Sequence, residues 1–177
     1  MNQDEKERFN SDLLYKMIIR TDSYLNYANT KSTIIITFIT AVIAAIGTHS
    51  VSAINYLFEC RHPDLIIIFK ILIAIGVTLL LIAFYHAGKS VLPYTRPSVR
   101  KNFFSFIDTI HHYSSEDEYL KEINLVDKDE VLNSMASLQY NLSKGLVSKY
   151  EMHKKAIFFI LMSFVPLILG LLIVLFV

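Results

Sequence analysis

Three long apolar runs constrain this chain more than any other feature. The first goes from about Ser32 to Leu57, contains IIITFITAVIAAIG, and carries no acidic or basic residue before Glu59. The second, from Leu65 to about Ala87, reads LIIIFKILIAIGVTLLLIAFYHA; the third, from Ala156 to Val177, reads AIFFILMSFVPLILGLLIVLFV. Each exceeds the roughly 18–20 apolar residues that cross ~30 Å of hydrocarbon as a helix. A helix is required there because lipid offers no partner to backbone N–H and C=O groups. Thr48, His49, Ser50 and Ser52 make the far end of the first run its least sharply bounded part.

The 177 residues are 53% hydrophobic and 19% charged, below the share of roughly a quarter charged found in soluble domains. That excess excludes a disordered chain and argues against an ordinary cytosolic enzyme. A formal net charge of +1 is no footprint for nucleic-acid binding. With Cys60 as its one cysteine, the chain forms no intrachain disulfide. The charged, polar first 31 residues contain no apolar core of a signal peptide, and no lipidation signal is visible. Lys and Arg number five in residues 1–31, one in 58–64 and ten in 88–155, with Lys70 inside the second run. The positive-inside bias therefore predicts residues 1–31 and 88–155 to be cytoplasmic, with the 58–64 hairpin and the C-terminus outside.

The polar segments read as helical. Phe9, Leu13 and Met17, then Leu14, Ile18, Leu25 and Ala28, fall at helical spacing, with Asn10 or Ser11 able to cap the start. Nothing breaks the chain between this stripe and the first run. Gly88, Pro93 and Pro97 punctuate a loop over 88–101, and residues 102–113 read as an aromatic-rich helix. Ser115 with Glu118, and Asp127 with Glu130, are helix-start signals. From there Val131, Met135, Leu138, Leu142 and Leu146 step by three and four into the third run, where Pro166 is a kink site. The predicted fold is an all-α membrane protein. Its parts are an N-terminal cytoplasmic helix (1–31), spans at 32–57, 65–87 and 156–177, and an outer hairpin (58–64). A cytoplasmic helical bundle forms from the N-terminal helix and residues 88–155.

Few side chains point to chemistry. Lys89, Arg96, Arg100 and Lys101 lie in a stretch without acidic residues, interleaved with Tyr94, Phe103 and Phe104. Such a set can grip phosphate and stack on a base, or it can be a juxtamembrane basic loop touching anionic lipid. Lys70 is an intramembrane charge, readable as a pore lining or as a side chain snorkelling to the interface. Ala41, Ala44, Ala45, Thr48 and Ser52 form a small-residue stripe suited to close helix contact, within the chain or between copies. The adjacent His111 and His112 point to different helix faces, so no metal site is predicted. No phosphate-binding glycine loop, serine elbow or metalloprotease motif is present, and neither a catalytic residue nor a cofactor is predicted.

Four elements carry a family resemblance. Tyr27-Ala28-Asn29-Thr30-Lys31-Ser32, leading straight into the first run, resembles the A-D-x-K element of the Pycsar transmembrane effectors, with Asn29 where that family usually has an acidic residue. Val91-Leu92-Pro93 resembles the proline-terminated end of its second span. Asn102-Phe103-Phe104-Ser105-Phe106-Ile107 resembles its F-F element, and Ser148-Lys149-Tyr150 through Lys154-Lys155-Ala156 its K-Y ending. The resemblance implies a non-enzymatic antiphage effector of the bacterial inner membrane. It would sense a cyclic nucleotide made by a linked cyclase, most simply a cyclic pyrimidine mononucleotide. It would then oligomerise or rearrange and disrupt the membrane. The ligand residues expected on this reading are Arg96, Arg100, Lys101 and Tyr94, with Asn29 and Lys31 opposite them. The pore residues expected are Lys70, Thr37, Ala41, Ala45 and Thr48. The alternative is a small non-enzymatic scaffold or accessory subunit of a transporter or channel.

Overall fold

The structure, a computed structural model, describes residues 3–93, 97–98 and 101–177, with side chains from residue 5 onward. Five helices make it up: α1 (Gln3–Glu59), α2 (Pro63–Val91), α3 (Phe106–His112), α4 (Glu116–Leu125) and α5 (Lys128–Phe176). Among the described residues there is no strand. α1, α2 and α5 are each long and apolar enough to cross a membrane. The chain divides into two compact units, Met1–Ala28 with Pro93–Ser148, and Asn29–Leu92 with Lys149–Val177.

In the second unit the three long helices bury one narrow stripe each. On α2 the buried positions are Phe69, Gly76, Leu80, Ala83, Ala87 and Ser90. Ser32 and Ile39 on α1, and Lys149, His153, Ala156, Ile160 and Ser163 on α5, are buried likewise. The steps of three and four are those of helices packed lengthwise. The apolar centre is Ile39, Leu80, Ala83 and Ile160, flanked by Ile35, Val42, Phe159 and Leu167. Gly76 is a required close approach. A β-carbon there would lie 2.6 Å from a Leu167 methyl and 2.7 Å from its γ-carbon.

The turn between α1 and α2 closes with a left-handed residue. Arg61 has φ 60°, Arg61 N donates to the Phe58 carbonyl at 3.1 Å, and His62 N donates to the Leu57 carbonyl at 3.4 Å. This pair of bonds is a Schellman ending, with arginine at the position usually held by glycine.

In the first unit, Thr21 is buried and Leu14, Ile18 and Leu25 are half-buried, whereas Phe9, Leu13 and Met17 are exposed. The apolar stripe thus faces inward through only one of its two rows. Met135 is buried on the facing part of α5, and Gln139 Nε2 donates to Thr21 Oγ1 at 2.9 Å. Three boundaries depart from the sequence reading. α1 starts at Gln3, so Asn10 and Ser11 lie inside the helix rather than at its cap. α2 runs through Gly88 to Val91 rather than ending at a loop. α3 starts at Phe106, not near residue 102, because Asn102 leaves the helix. Its Oδ1 accepts from Phe104 N at 2.9 Å, and its Nδ2 donates to the Ser134 carbonyl at 2.9 Å. Ser105 caps the shortened helix through the Asp108 N–H. Both helix-start signals downstream form: Ser115 Oγ accepts from Glu118 N at 3.2 Å, and Asp127 Oδ1 from Glu130 N at 2.7 Å. α5 continues unbroken through Pro166.

Gly76→Ala is expected to cost about 1–3 kcal/mol by overpacking. Adding Leu167→Ala should recover part of that loss, so thermal unfolding of both variants in detergent checks the contact as a double-mutant cycle.

Candidate functional site

The polar residues on those buried stripes meet at one end of the three-helix unit. Asn29 and Ser32, three apart on α1, share a face with each other; Lys149 and His153, four apart on α5, do the same. Ser90 lies in the last turn of α2. The Lys149 ammonium donates to Asn29 Oδ1 at 3.0 Å, to the Ser90 carbonyl, and to the Leu92 carbonyl at 3.4 Å. It therefore satisfies carbonyls that the end of α2 leaves without helical partners, at the end where the helix dipole favours a cation. One turn along α5, His153 Nε2 lies 2.6 Å from Ser32 Oγ and 2.8 Å from Ser90 Oγ, and the two hydroxyls are 2.8 Å apart. Two stacked polar rungs thus join all three helices, at the start of the apolar runs of α1 and α5 and just past the end of that of α2.

Burial sets the electrostatics. Desolvation pushes the Lys149 ammonium below the usual lysine range. Desolvation also lowers His153, and the nearby charges of Lys31 and Lys149 lower it further, which favours a neutral imidazole. Its Nδ1 is buried and has no hydrogen-bond partner. The Ser32–His153 distance is that of a nucleophile and its base. However, both serines are sealed from solvent, and the imidazole lacks the orienting group that activates such a pair. The arrangement is a hydrogen-bonded joint.

The sequence-expected residues distribute differently. Tyr94, Arg96 and Arg100 lie outside the described residues. Lys101 is in the first unit, paired with Glu122 at 2.5 Å and 5.0 Å from the Tyr113 ring centre. Tyr113 donates to the other Glu122 oxygen at 3.1 Å. The Lys101 partner holds Glu122 below the usual carboxylate range, while burial first and Glu122 second push Tyr113 up to about 12. Asn29 is engaged by Lys149, and Lys31 lies 6.0 Å from the Tyr150 ring centre. Lys70 is exposed on α2. Thr37, Ala41, Ala44, Ala45, Thr48 and Ser52 are exposed too, so the small-residue stripe does not pack the three spans together. The Thr48 hydroxyl is satisfied within its own helix by the Ala44 and Ala45 carbonyls at 3.2 and 3.0 Å.

Sequence reasoning passed over His153 and Ser90, and met Lys149 only inside the Ser148-Lys149-Tyr150 element, without a role. A signal existed for two of them. The α5 stripe Leu142, Leu146 continues by three and four to Lys149, His153 and Ala156, which places two ionisable residues on the buried face. Ser90 had no such signal, because residues 88–101 read as a loop.

The sequence model of the Pycsar effector protein domain matches residues 13–176 of the chain. No curated protein and no solved structure matches it.

Two outcomes test the joint. Asn29→Asp places a carboxylate against the Lys149 ammonium and should raise stability by about 1–2 kcal/mol, since hydrogen bonds to charged groups exceed neutral ones. The midpoint of chemical unfolding measures it. Because the folded state lowers the His153 pKa, the unfolded chain binds more protons as pH falls through the ordinary histidine value of roughly 6.5. Stability should therefore fall between pH 7.5 and 5, and His153→Gln should flatten that part of the melting-temperature profile.

Proposed function

The chain belongs to the Pycsar effector family, and from that premise we propose that it is a non-enzymatic antiphage effector of the bacterial inner membrane that senses a cyclic nucleotide. On binding, it oligomerises or rearranges and compromises the bilayer. The observation that carries this reading is the joint of Asn29, Ser32, Ser90, Lys149 and His153. Three of the four elements that resemble the family, around Asn29–Ser32, Val91–Pro93 and Ser148–Lys155, come together there in space. A joint made of polar bonds, where an all-apolar contact would have served, supports a contact that can be opened. Each bond is directional, and breaking it leaves a charged or polar group that water or another ligand can take.

A ligand shifts such an equilibrium only by binding one state better than the other. In our reading the messenger's phosphate is held by Arg96 and Arg100, with Tyr94 stacking on the base. Lys101 is tied to Glu122 and Asn29 to Lys149, so these two position the segment and the joint rather than grip the ligand first. In the same reading the lysine and arginine distribution supports a cytoplasmic location for the N-terminus and residues 88–155, with the C-terminus outside. Lys70 and the exposed stripe of Ala41, Ala45 and Thr48 are the surface along which copies assemble and ions pass.

The test reconstitutes the full chain into dye-loaded liposomes and titrates cyclic mono- and dinucleotides while measuring binding and leakage. A cyclic pyrimidine mononucleotide should bind and trigger release. Arg96→Ala with Arg100→Ala should weaken binding by about tenfold or more, because charge-assisted phosphate contacts are lost. If no cyclic nucleotide binds and none causes leakage, the effector reading fails and a scaffold role takes its place.

A further inference from the structure

For a helix in water, α3 is amphipathic the wrong way round. Asp108 and His112, four apart, face inward. Both Asp108 oxygens accept from Ser98, one from its N–H at 2.6 Å and one from its hydroxyl, and His112 Nε2 lies 3.2 Å from the Ser98 carbonyl. The carboxylate residue is 1% exposed, whereas Phe106 and Ile110 on the opposite face are 77% and 82% exposed. α4, whose Tyr119 donates to the Phe103 carbonyl at 3.3 Å, buries none of its residues and opens on Glu116, Asp117 and Glu118. Residues 116–130 hold seven acidic residues against two lysines. A second uncovered surface runs along α1. Lys6, Phe9, Leu13, Met17, Arg20 and Tyr24 follow one another in steps of three and four, all are exposed, and the charges in the row are basic.

α5 stands between α1 and α3. Gln139 reaches Thr21 on α1, while Asn141 Nδ2 donates to Ser98 Oγ, the anchor of α3, at 3.2 Å. Residues two apart on a helix point about 200° apart, so α1 and α3 lie on opposite sides of α5. The bilayer covers neither surface. Met17 lies 15 residues before the first apolar run and Asn141 15 before the third, in each case roughly 22 Å of unbroken helix. Copies in one bilayer share direction and height, so each presents its α1 row at the level of its neighbour's α3. We propose that copies of this chain associate side by side through these two surfaces, the α1 row of one against α3 and the acidic start of α4 of the next. Apolar side chains that water leaves uncovered mark a contact surface, and the basic row meets an acidic one. A contact between two different surfaces leaves one of each open on every pair, so it propagates toward a ring instead of stopping at a dimer. The proposal builds on the assembly read above but needs no nucleotide, since both surfaces are already uncovered. Its failure and that of messenger sensing are therefore distinguishable.

Cross-linking of the full chain in liposomes, without nucleotide, tests it. Cys60→Ser removes the one native thiol. Leu13→Cys and Ile110→Cys, both at exposed positions, are then placed in separate chains carrying tags of different size. A short bis-maleimide should join the two variants to each other and neither variant to itself, and a chain carrying both cysteines should give a ladder of multimers. Lys6→Glu with Arg20→Glu on the Leu13→Cys chain should cut the mixed link by about fivefold at low salt. Glu116→Lys with Asp117→Lys on the other chain should restore it. Linking of Leu13→Cys to itself as readily as to Ile110→Cys overturns the proposal, because it marks a symmetric or random contact. So does absence of the mixed link, whether an amine cross-linker then finds copies joined elsewhere or finds only monomers.

Discussion

A lysine ammonium buried where three helices meet is the interaction on which the rest of this molecule depends. Taking a charge out of water costs several kcal/mol unless its protons are all met. Lys149 meets that demand only where the carbonyls of Ser90 and Leu92 and the amide of Asn29 converge. The requirement fixes the end of α2 against α1 and α5 at one register. His153 repeats the constraint a turn later through Ser32 and Ser90, and the apolar core of Ile39, Leu80, Ala83 and Ile160 then packs along stripes already aligned. A shift of any helix by one residue would leave an ammonium or an imidazole without partners. Van der Waals packing of apolar spans alone carries no such penalty.

The large features were readable because each rests on a local rule. Apolar length gives the three spans, and helix-start signals give α4 and the start of α5. What was not readable depends on partners distant in sequence. Asn102 resembles any residue of a helical stretch until the Ser134 carbonyl and Phe104 N–H are seen to hold it in a turn. Phe9, Leu13 and Met17 satisfy helical periodicity as well as Leu14, Ile18 and Leu25 do, and only the facing helix decides which row is buried. Ser90 was hidden behind Gly88, a residue that weakens helices on average but does not end this one.

The site shows the same division. Asn29, Ser32 and Lys149 were visible as motif residues, but their roles are defined only by one another. The basic loop drew attention by its charge density, yet Lys89 belongs to the last turn of α2 and Lys101 is paired with Glu122. The charge that matters most to the packing is a single lysine on an otherwise apolar face. Family membership and geometry converge on that place, since the family elements around Asn29, Leu92 and Lys149 are the ones that touch.

The burial of Lys149 can be measured directly by acetylating the reconstituted full chain and following each lysine by mass spectrometry. Lys154 and Lys155 lie about a turn further along the same helix and are exposed. The joint predicts that Lys149 is modified at least about tenfold more slowly than either, as expected of a desolvated, fully hydrogen-bonded ammonium. Equal rates at the three positions would contradict it, because they would mean that the three helices do not meet around that charge.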